Sequence, residues 1–260
     1  MSDGTLSVDG LTRRFGGLLA VDKVGFTVEP GAIVALIGPN GAGKSTIVNL
    51  LSGVLKPSAG HIELGGRILG GLPPHAVARR GMVRTFQNGR LIQRLSVMEN
   101  VLLGADAHCG YGFADAIFRT PRLRRGERRL HERALALLDD LGLADDAGRE
   151  VRVLAYGKQR KLEIARALMQ DPALLLLDEP AAGLNSAEAD ELGRYVVGLR
   201  NRGLGVLLIE HNMGLVMRIA DRIVVVNFGV KIAEGTPATI RADERVIEAY
   251  LGRKAAHAAV

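Results

Sequence analysis

The sequence predicts an α/β fold: a mixed sheet flanked by helices, an antiparallel β part at the N-terminus and an inserted α-helical subdomain. Three patterns predict it. A short β-branched run, Ala32-Ile33-Val34-Ala35-Leu36-Ile37, leads through a glycine-rich loop into the helix start Ile47-Val48-Asn49-Leu50-Leu51. The four leucines Leu174 to Leu177 read as a fully buried parallel strand. Between about residues 95 and 170 the pattern turns helical, with no convincing strand.

The elements follow in order. Residues 5–30 alternate, notably Leu6-Ser7-Val8 and Val24-Gly25-Phe26-Thr27-Val28, as antiparallel strands do. Residues 31–53 form strand, loop and helix, with Gly53 as the stop, and His61 to Leu64 form another strand. Residues 74–80 read as a helix and Met82 to Gln87 as a strand leaving the core. In the insert, helices are expected over Val97–Ala107, Glu127–Leu141 and Lys158–Met169. The second carries Leu130, Ala134, Leu137, Leu138 and Leu141 on one stripe. Alternation of strand and helix returns at 173–177, 187–201, 205–210, 212–219 and 222–226, before a hairpin near Phe228-Gly229 and a helical tail. The expected organisation is one domain over 1–252, with an α/β core at about 1–94 and 171–235, a helical subdomain at about 95–170, and a frayed tail at 253–260.

The apolar fraction of 47% and charged fraction of 24% in 260 residues supply a sizeable core. No apolar run approaches the roughly 18 residues of a membrane span. Met1-Ser2-Asp3-Gly4 lacks the basic start of a secretory signal. A lone cysteine, Cys109, makes no internal disulfide and suits a reducing compartment. The net charge of +6 is concentrated in the tract from Arg119 to Arg129. That tract has no interleaved aromatics, so nucleic acid is not expected as a partner; it reads as a solvated helix face or a contact for membrane headgroups.

Gly38-Pro39-Asn40-Gly41-Ala42-Gly43-Lys44-Ser45-Thr46 fits G-x-x-x-x-G-K-[ST], the phosphate-binding loop of nucleoside triphosphatases. Glycines let successive N–H groups point at phosphate oxygens, and the helix N-terminus adds partial positive charge. Lys44 would reach the β- and γ-phosphates, and the Ser45 hydroxyl would bind Mg²⁺. The leucine strand ends in Asp178-Glu179. Its carboxyl end should lie beside the loop, with Asp178 on Mg²⁺ and Glu179 on the attacking water. The alternative for Glu179 is a helix-capping acid.

Leu154-Ala155-Tyr156-Gly157-Lys158-Gln159-Arg160, about twenty residues before Asp178, resembles the L-S-G-G-Q signature of ABC ATPases. The other motifs of that family stand in order. Phe15 occupies the place of the adenine-stacking aromatic, and Gln87 that of the Q-loop glutamine, a metal and water contact. Ala182-Gly183-Leu184-Asn185 matches the D-loop and His211 the switch histidine. The finer resemblance is to the ATPase subunits of branched-chain amino acid importers, through Phe15-Gly16-Gly17-Leu18-Leu19-Ala20-Val21, the Ala-Tyr-Gly signature, Ala181-Ala182-Gly183-Leu184-Asn185 with Ile209-Glu210-His211, and the ending Glu248-Ala249-Tyr250-Leu251-Gly252. Four departures stand out. Ala155 replaces the signature serine, Tyr156 its first glycine, Lys158 its final glutamine, and Asn185 the usual D-loop aspartate.

The resemblance implies a P-loop NTPase core with ATP and Mg²⁺ as cofactors. It implies two such subunits, identical or homologous, closing head to tail around two ATP molecules. Each ATP would lie between one phosphate loop and the partner's signature, where Gly157 and a helix starting near Lys158 would donate N–H groups and Lys158 would add charge. Integral membrane permeases would dock near Gln87 and Asn88 to Leu95, with Arg90 and Arg94 as contacts, at the cytoplasmic face of the inner membrane. The rival readings are a non-transport ABC ATPase, an ATPase for urea or amide uptake or for lipid or lipopolysaccharide export, and a non-catalytic nucleotide-gated module.

Overall fold

The computed structural model describes residues 4–85, 91–108 and 121–251. The chain divides into two compact units, residues 1–84 with 173–260, and residues 85–172.

In the first unit, β1 (Leu6–Phe15), β2 (Leu18–Val28), β4 (Ala59–Leu64) and β5 (Arg67–Ile68) form an antiparallel sheet in the order β2-β1-β4-β5. The second sheet runs β10-β9-β3-β8-β7-β6 and is mixed. Its parallel members are β3 (Ile33–Ile37), β6 (Met82–Arg84), β7 (Leu174–Asp178), β8 (Gly205–Ile209) and β9 (Arg222–Asn227); β10 (Val230–Gly235) is an antiparallel edge. The residues of β3, β7 and β8 are buried throughout, as expected of parallel strands covered on both faces. Their carboxyl ends fall on one edge, the place where ligands bind in such sheets.

Helices α1 (Lys44–Leu51), α2 (Pro74–Arg79), α6 (Ser186–Asn201), α7 (Met213–Ile219), α8 (Pro237–Ala242) and α9 (Glu244–Leu251) belong to this unit. Leu6, Leu36, Ile47, Leu51, Leu176, Leu207 and Val224 share one apolar cluster, so sheet, α1 and antiparallel part are packed around a common core. The β7 strand is separated from β3 by β8, so it is not the immediate neighbour of the strand that feeds the phosphate loop.

The second unit contains α3 (Val97–Leu102), α4 (Pro121–Asp140) and α5 (Tyr156–Leu168). Ser96 opens α3 with a reciprocal capping box to Glu99. The expected helix to Ala107 ends instead at Leu102 and tightens into a 3₁₀ turn over Leu103–His108. Gly104 sits there so close to α5 that a Cβ would lie 2.1 Å from the Arg166 carbonyl oxygen. The backbone therefore tightens where it meets α5. Helix α4 spans Pro121–Asp140, so it takes in the six residues before the expected start at Glu127. Its Ala134 and Leu138 are buried, whereas Arg124, Arg125, Arg128 and Arg129 line its solvated side: the basic tract is a helix face where it is described. Arg119 and Cys109 lie outside the described residues.

Candidate functional site

The loop between β3 and α1 curls because two glycines permit it. Gly43 has φ of 100°, and a Cβ there would lie 2.9 Å from the Ala20 carbonyl oxygen. Gly38 passes so near β9 that a Cβ would meet the Val226 carbonyl oxygen at 2.1 Å. Ala42 closes the turn with its N–H on the Pro39 carbonyl at 3.2 Å. Lys44 opens α1 with its side chain turned back into the loop, where Nζ donates to Gly38 O at 2.7 Å and Pro39 O at 3.0 Å. Burial pushes its pKa down, and the carboxylate of Glu179 pulls it up.

Asn40, Gly41, Ala42, Gly43, Lys44, Ser45 and Thr46 line one cavity together with Phe15 and Glu179. Its volume of about 550 Å³ suits a nucleotide-sized ligand, since such pockets span roughly 300–1,000 Å³. Phe15 ends β1 with 42% of its surface exposed. The Arg13 guanidinium lies 4.5 Å from the ring centroid, so one face of the ring is braced by a cation.

At the end of β7, Asp178 is buried and Glu179 turns out of the strand with φ of 51°, a conformation rare for a side chain of its size. Its N–H donates to the Ile209 carbonyl at 2.9 Å, fixing it to the end of β8. The Glu179 carboxylate lies 3.2 Å from Nε2 of His211. The two residues expected to handle the attacking water therefore meet, although 32 positions separate them.

Three residues to which the sequence assigns no role in the site join it. Arg84, at the end of β6, donates to Asp178 Oδ2 at 2.8 Å, Asn49 Oδ1 at 2.8 Å and Ser52 Oγ at 2.9 Å. One guanidinium thus ties the expected metal-side carboxylate to α1, across the gap that β8 leaves. Glu210 is buried, and its carboxylate accepts from the N–H groups of Ala181 at 2.7 Å, His211 at 3.0 Å and Asn212 at 3.2 Å. It clamps the start of the Ala182–Asn185 turn to the His211 segment. Phe228, at the β9–β10 hairpin, lines the same cavity as Phe15.

Gly183 turns with φ of 79°, and Asn185 is the N-cap of α6: Oδ1 accepts from Glu188 N at 3.0 Å while Glu188 Oε2 accepts from Asn185 N at 3.0 Å. The amide that replaces aspartate is thus committed to capping. Leu184 N donates to Ala181 O at 3.1 Å and Ala182 N to Glu179 O at 3.1 Å, so the turn is tied back to Glu179.

The signature lies in the second unit. Leu154 is buried, Ala155 is the N-cap of α5 and Tyr156 is its first residue, so the helix starts two residues before Lys158 and Gly157 lies inside its first turn. No side chain caps this end. Lys158, expected to add positive charge, is ion-paired within the unit: its Nζ donates to Asp146 Oδ2 at 2.6 Å. Asp146 is buried and also accepts from Arg149 at 2.9 Å. These partners, Lys158 first, hold its carboxyl below the usual range. A depressed carboxyl pKa adds stability above the unfolded value of about 3.9, and that stability is lost as pH falls through the lower folded value. Asp146→Asn should therefore lower Tm at neutral pH, with the gap to the parent chain closing below about pH 4; thermal melts across pH check this, and a gap that does not change with pH would contradict it. Gln87, Asn88 and Arg90 lie outside the described residues.

Ala155→Ser would give α5 the side-chain cap it lacks, worth about 1 kcal/mol. Tm should rise, while turnover changes only a few-fold, because one net hydrogen bond is worth ~0.5–1.5 kcal/mol. Thermal melts and steady-state nucleotide-hydrolysis rates of parent and variant are the measurements; a hundredfold gain in rate would mark a degenerate site.

A phosphate loop at the carboxyl edge of a mixed sheet, with a strand-end Asp-Glu pair and a histidine on the glutamate, defines a P-loop nucleoside triphosphatase. The chain belongs to the ABC transporter family, whose model matches residues 21–182. It is an ATP hydrolase of that family. A second model, described as branched-chain amino acid ATP-binding cassette transporter, matches residues 230–256. The chain is 50% identical to the high-affinity branched-chain amino acid transport ATP-binding protein BraF of Pseudomonas aeruginosa, over 97% of this chain and 99% of BraF. It is 49% identical to LivG of Escherichia coli, a protein of the same description, with the same coverage. It is 33% identical to the lipopolysaccharide export system ATP-binding protein LptB of Haemophilus influenzae, over 96% of this chain and 98% of LptB. Among solved structures, the ADP conformation of MJ1267, an ATP-binding cassette of an ABC transporter, matches with a TM-score of 0.83 and 31% identity over 95% of this chain and 98% of that one.

Proposed function

We propose that the chain powers an importer of branched-chain amino acids, as one of two ATPase subunits paired head to tail beneath membrane permeases. The observation that carries the chemistry is the pair Glu179–His211 at 3.2 Å beside the phosphate loop. The choice of solute is supported by half identity with BraF and LivG over nearly the full chain, against a third with LptB. No helix among the described residues is long and apolar enough to cross a membrane, so the solute path would belong to other subunits.

In this reading Phe15 stacks on adenine, and the N–H groups of Gly41 to Thr46 with Lys44 Nζ hold the phosphates. Glu179 accepts a proton from water as its oxygen attacks the γ-phosphorus. The bond to the β,γ-bridging oxygen breaks, and ADP leaves with the electron pair. His211 orients Glu179 and contacts the γ-phosphate. Ser45, Asp178 and Gln87 would hold Mg²⁺, which when bound neutralises charge on the phosphate oxygens. The donor set fits: a hydroxyl and a carboxylate are hard oxygen ligands, few enough for an ion that keeps waters and takes phosphate oxygens. The signature from Leu154 to Lys158 would close on the partner's ATP through the uncapped N-terminus of α5.

The test is assembly and stimulation. Purified with its permeases and a solute-binding protein in vesicles, the chain should hydrolyse ATP faster when leucine, isoleucine or valine is added. Stimulation by a lipid and not by these amino acids would overturn the solute assignment.

A further inference from the structure

Phe228 is the most exposed large apolar side chain among the described residues, at 86% of its surface. It also has φ of 45°, a left-handed conformation that bulky side chains rarely adopt. A hairpin tip of this kind ordinarily takes Gly, Asn or Asp. Phe therefore carries a cost in backbone and in solvation, with little burial to offset it. Such outliers cluster at ligand sites.

The tip is fixed relative to the phosphate loop. Gly229, the next residue, donates its N–H to Ala42 O at 2.9 Å, and its carbonyl accepts from Asp22 N at 2.8 Å. Phe228 lines the same cavity as Phe15, Leu18 and Lys44. Leu18 is itself 67% exposed, so the non-phosphate part of the cavity offers apolar surface on β1, β2 and the hairpin. The loop takes phosphates at Lys44, and exposed Phe15, Leu18 and Phe228 offer apolar surface to the rest of the ligand.

We propose that Phe228 is a second aromatic contact for the nucleobase, so that the base is held between Phe15 and the hairpin tip. This rests on the reading of the cavity as the ATP site. Stacking surfaces read ring faces and not edges, so the contact adds affinity for any purine nucleotide without choosing among them.

The chain contains no tryptophan, so Phe228→Trp places a single indole fluorophore at the tip. Its emission should be quenched by ATP, ADP and GTP, and unchanged by tripolyphosphate, which fills the phosphate loop without a base. Phe228→Gly removes the ring and suits the backbone, so Tm should hold or rise while ATP binds roughly three- to tenfold more weakly and tripolyphosphate binds as before. Indole emission that is silent to nucleotides in the Phe228→Trp protein, while ATP binding still depends on Lys44 and Phe15, overturns the contact and leaves the site intact. Quenching by tripolyphosphate as strong as by ATP also overturns it, since the tip would then report loop closure. Loss of dependence on Lys44 would instead bring down the site reading itself.

Discussion

Glu179→Gln is expected to lower steady-state ATP turnover by ~10²–10⁴-fold, the usual contribution of a general base, with ATP affinity preserved. The amide keeps the shape of the carboxylate and can still meet His211 Nε2, which lies 3.2 Å from Glu179 Oε2. It cannot take the proton of the attacking water. The backbone at Glu179 is already in its unusual conformation, held by the N–H bond to Ile209 O at 2.9 Å, and substitution of the side chain leaves that bond in place. Binding without turnover should trap the closed dimer, seen as a doubled mass on sizing chromatography with ATP. His211→Ala should slow hydrolysis too, but less, because the base remains. A Glu179→Gln protein that hydrolyses like its parent would make Glu179 a mere capping acid and move the search for the base elsewhere.

What the sequence disclosed depends on range. The phosphate loop was readable because its work is done by backbone and by near neighbours in the chain, so glycine spacing states the geometry directly. The buried leucine strand was readable for the same reason: burial on both faces is written in its composition. Glu179 and His211 could be named from motif order, but their contact could not. The clamps were hidden. Arg84 reaches Asp178 across 94 positions and Glu210 reaches Ala181 across 29, and neither has a local pattern. The signature motif suggests a helix start near Lys158, two residues after the observed one, because Ala155 offers no polar cap and Tyr156-Gly157 are poor helix formers; Gly157, Arg160 and Ile164 are buried in the helix that forms. The ion pair of Lys158 is not legible in the sequence, because its partner Asp146 stands twelve positions away. Phe228 is visible only in the structure, since a Phe-Gly pair after a strand reads as an ordinary hairpin.

Lys44→Ala should weaken ATP binding by at least tenfold. A hydrogen bond from a charged donor is worth about 1.5–3 kcal/mol, which corresponds to roughly 10–150-fold in affinity. The geometry separates two contributions. Lys44 Nζ binds Gly38 O at 2.7 Å and Pro39 O at 3.0 Å, so the side chain is a strut of the loop as well as a charge for phosphate. Lys44→Met keeps the length and the packing of the stem and removes both. If charge on the phosphates dominates, Met and Ala variants should lose ATP affinity equally. If the fill of the loop matters more, Met should recover part of it. Burial lowers the pKa of this ammonium, and the approach of phosphates would oppose that by favouring the charged form, so binding should tighten the hold on that proton. Titration of ATP and of tripolyphosphate into the purified variants by calorimetry measures both effects. Both ligands should weaken together, because the lost contact is to phosphate, whereas Phe15→Ala should weaken ATP alone. Unchanged affinity for ATP in both Lys44 variants would place the nucleotide outside this loop, and Glu179, His211 and Phe228 would lose their assigned ligand with it.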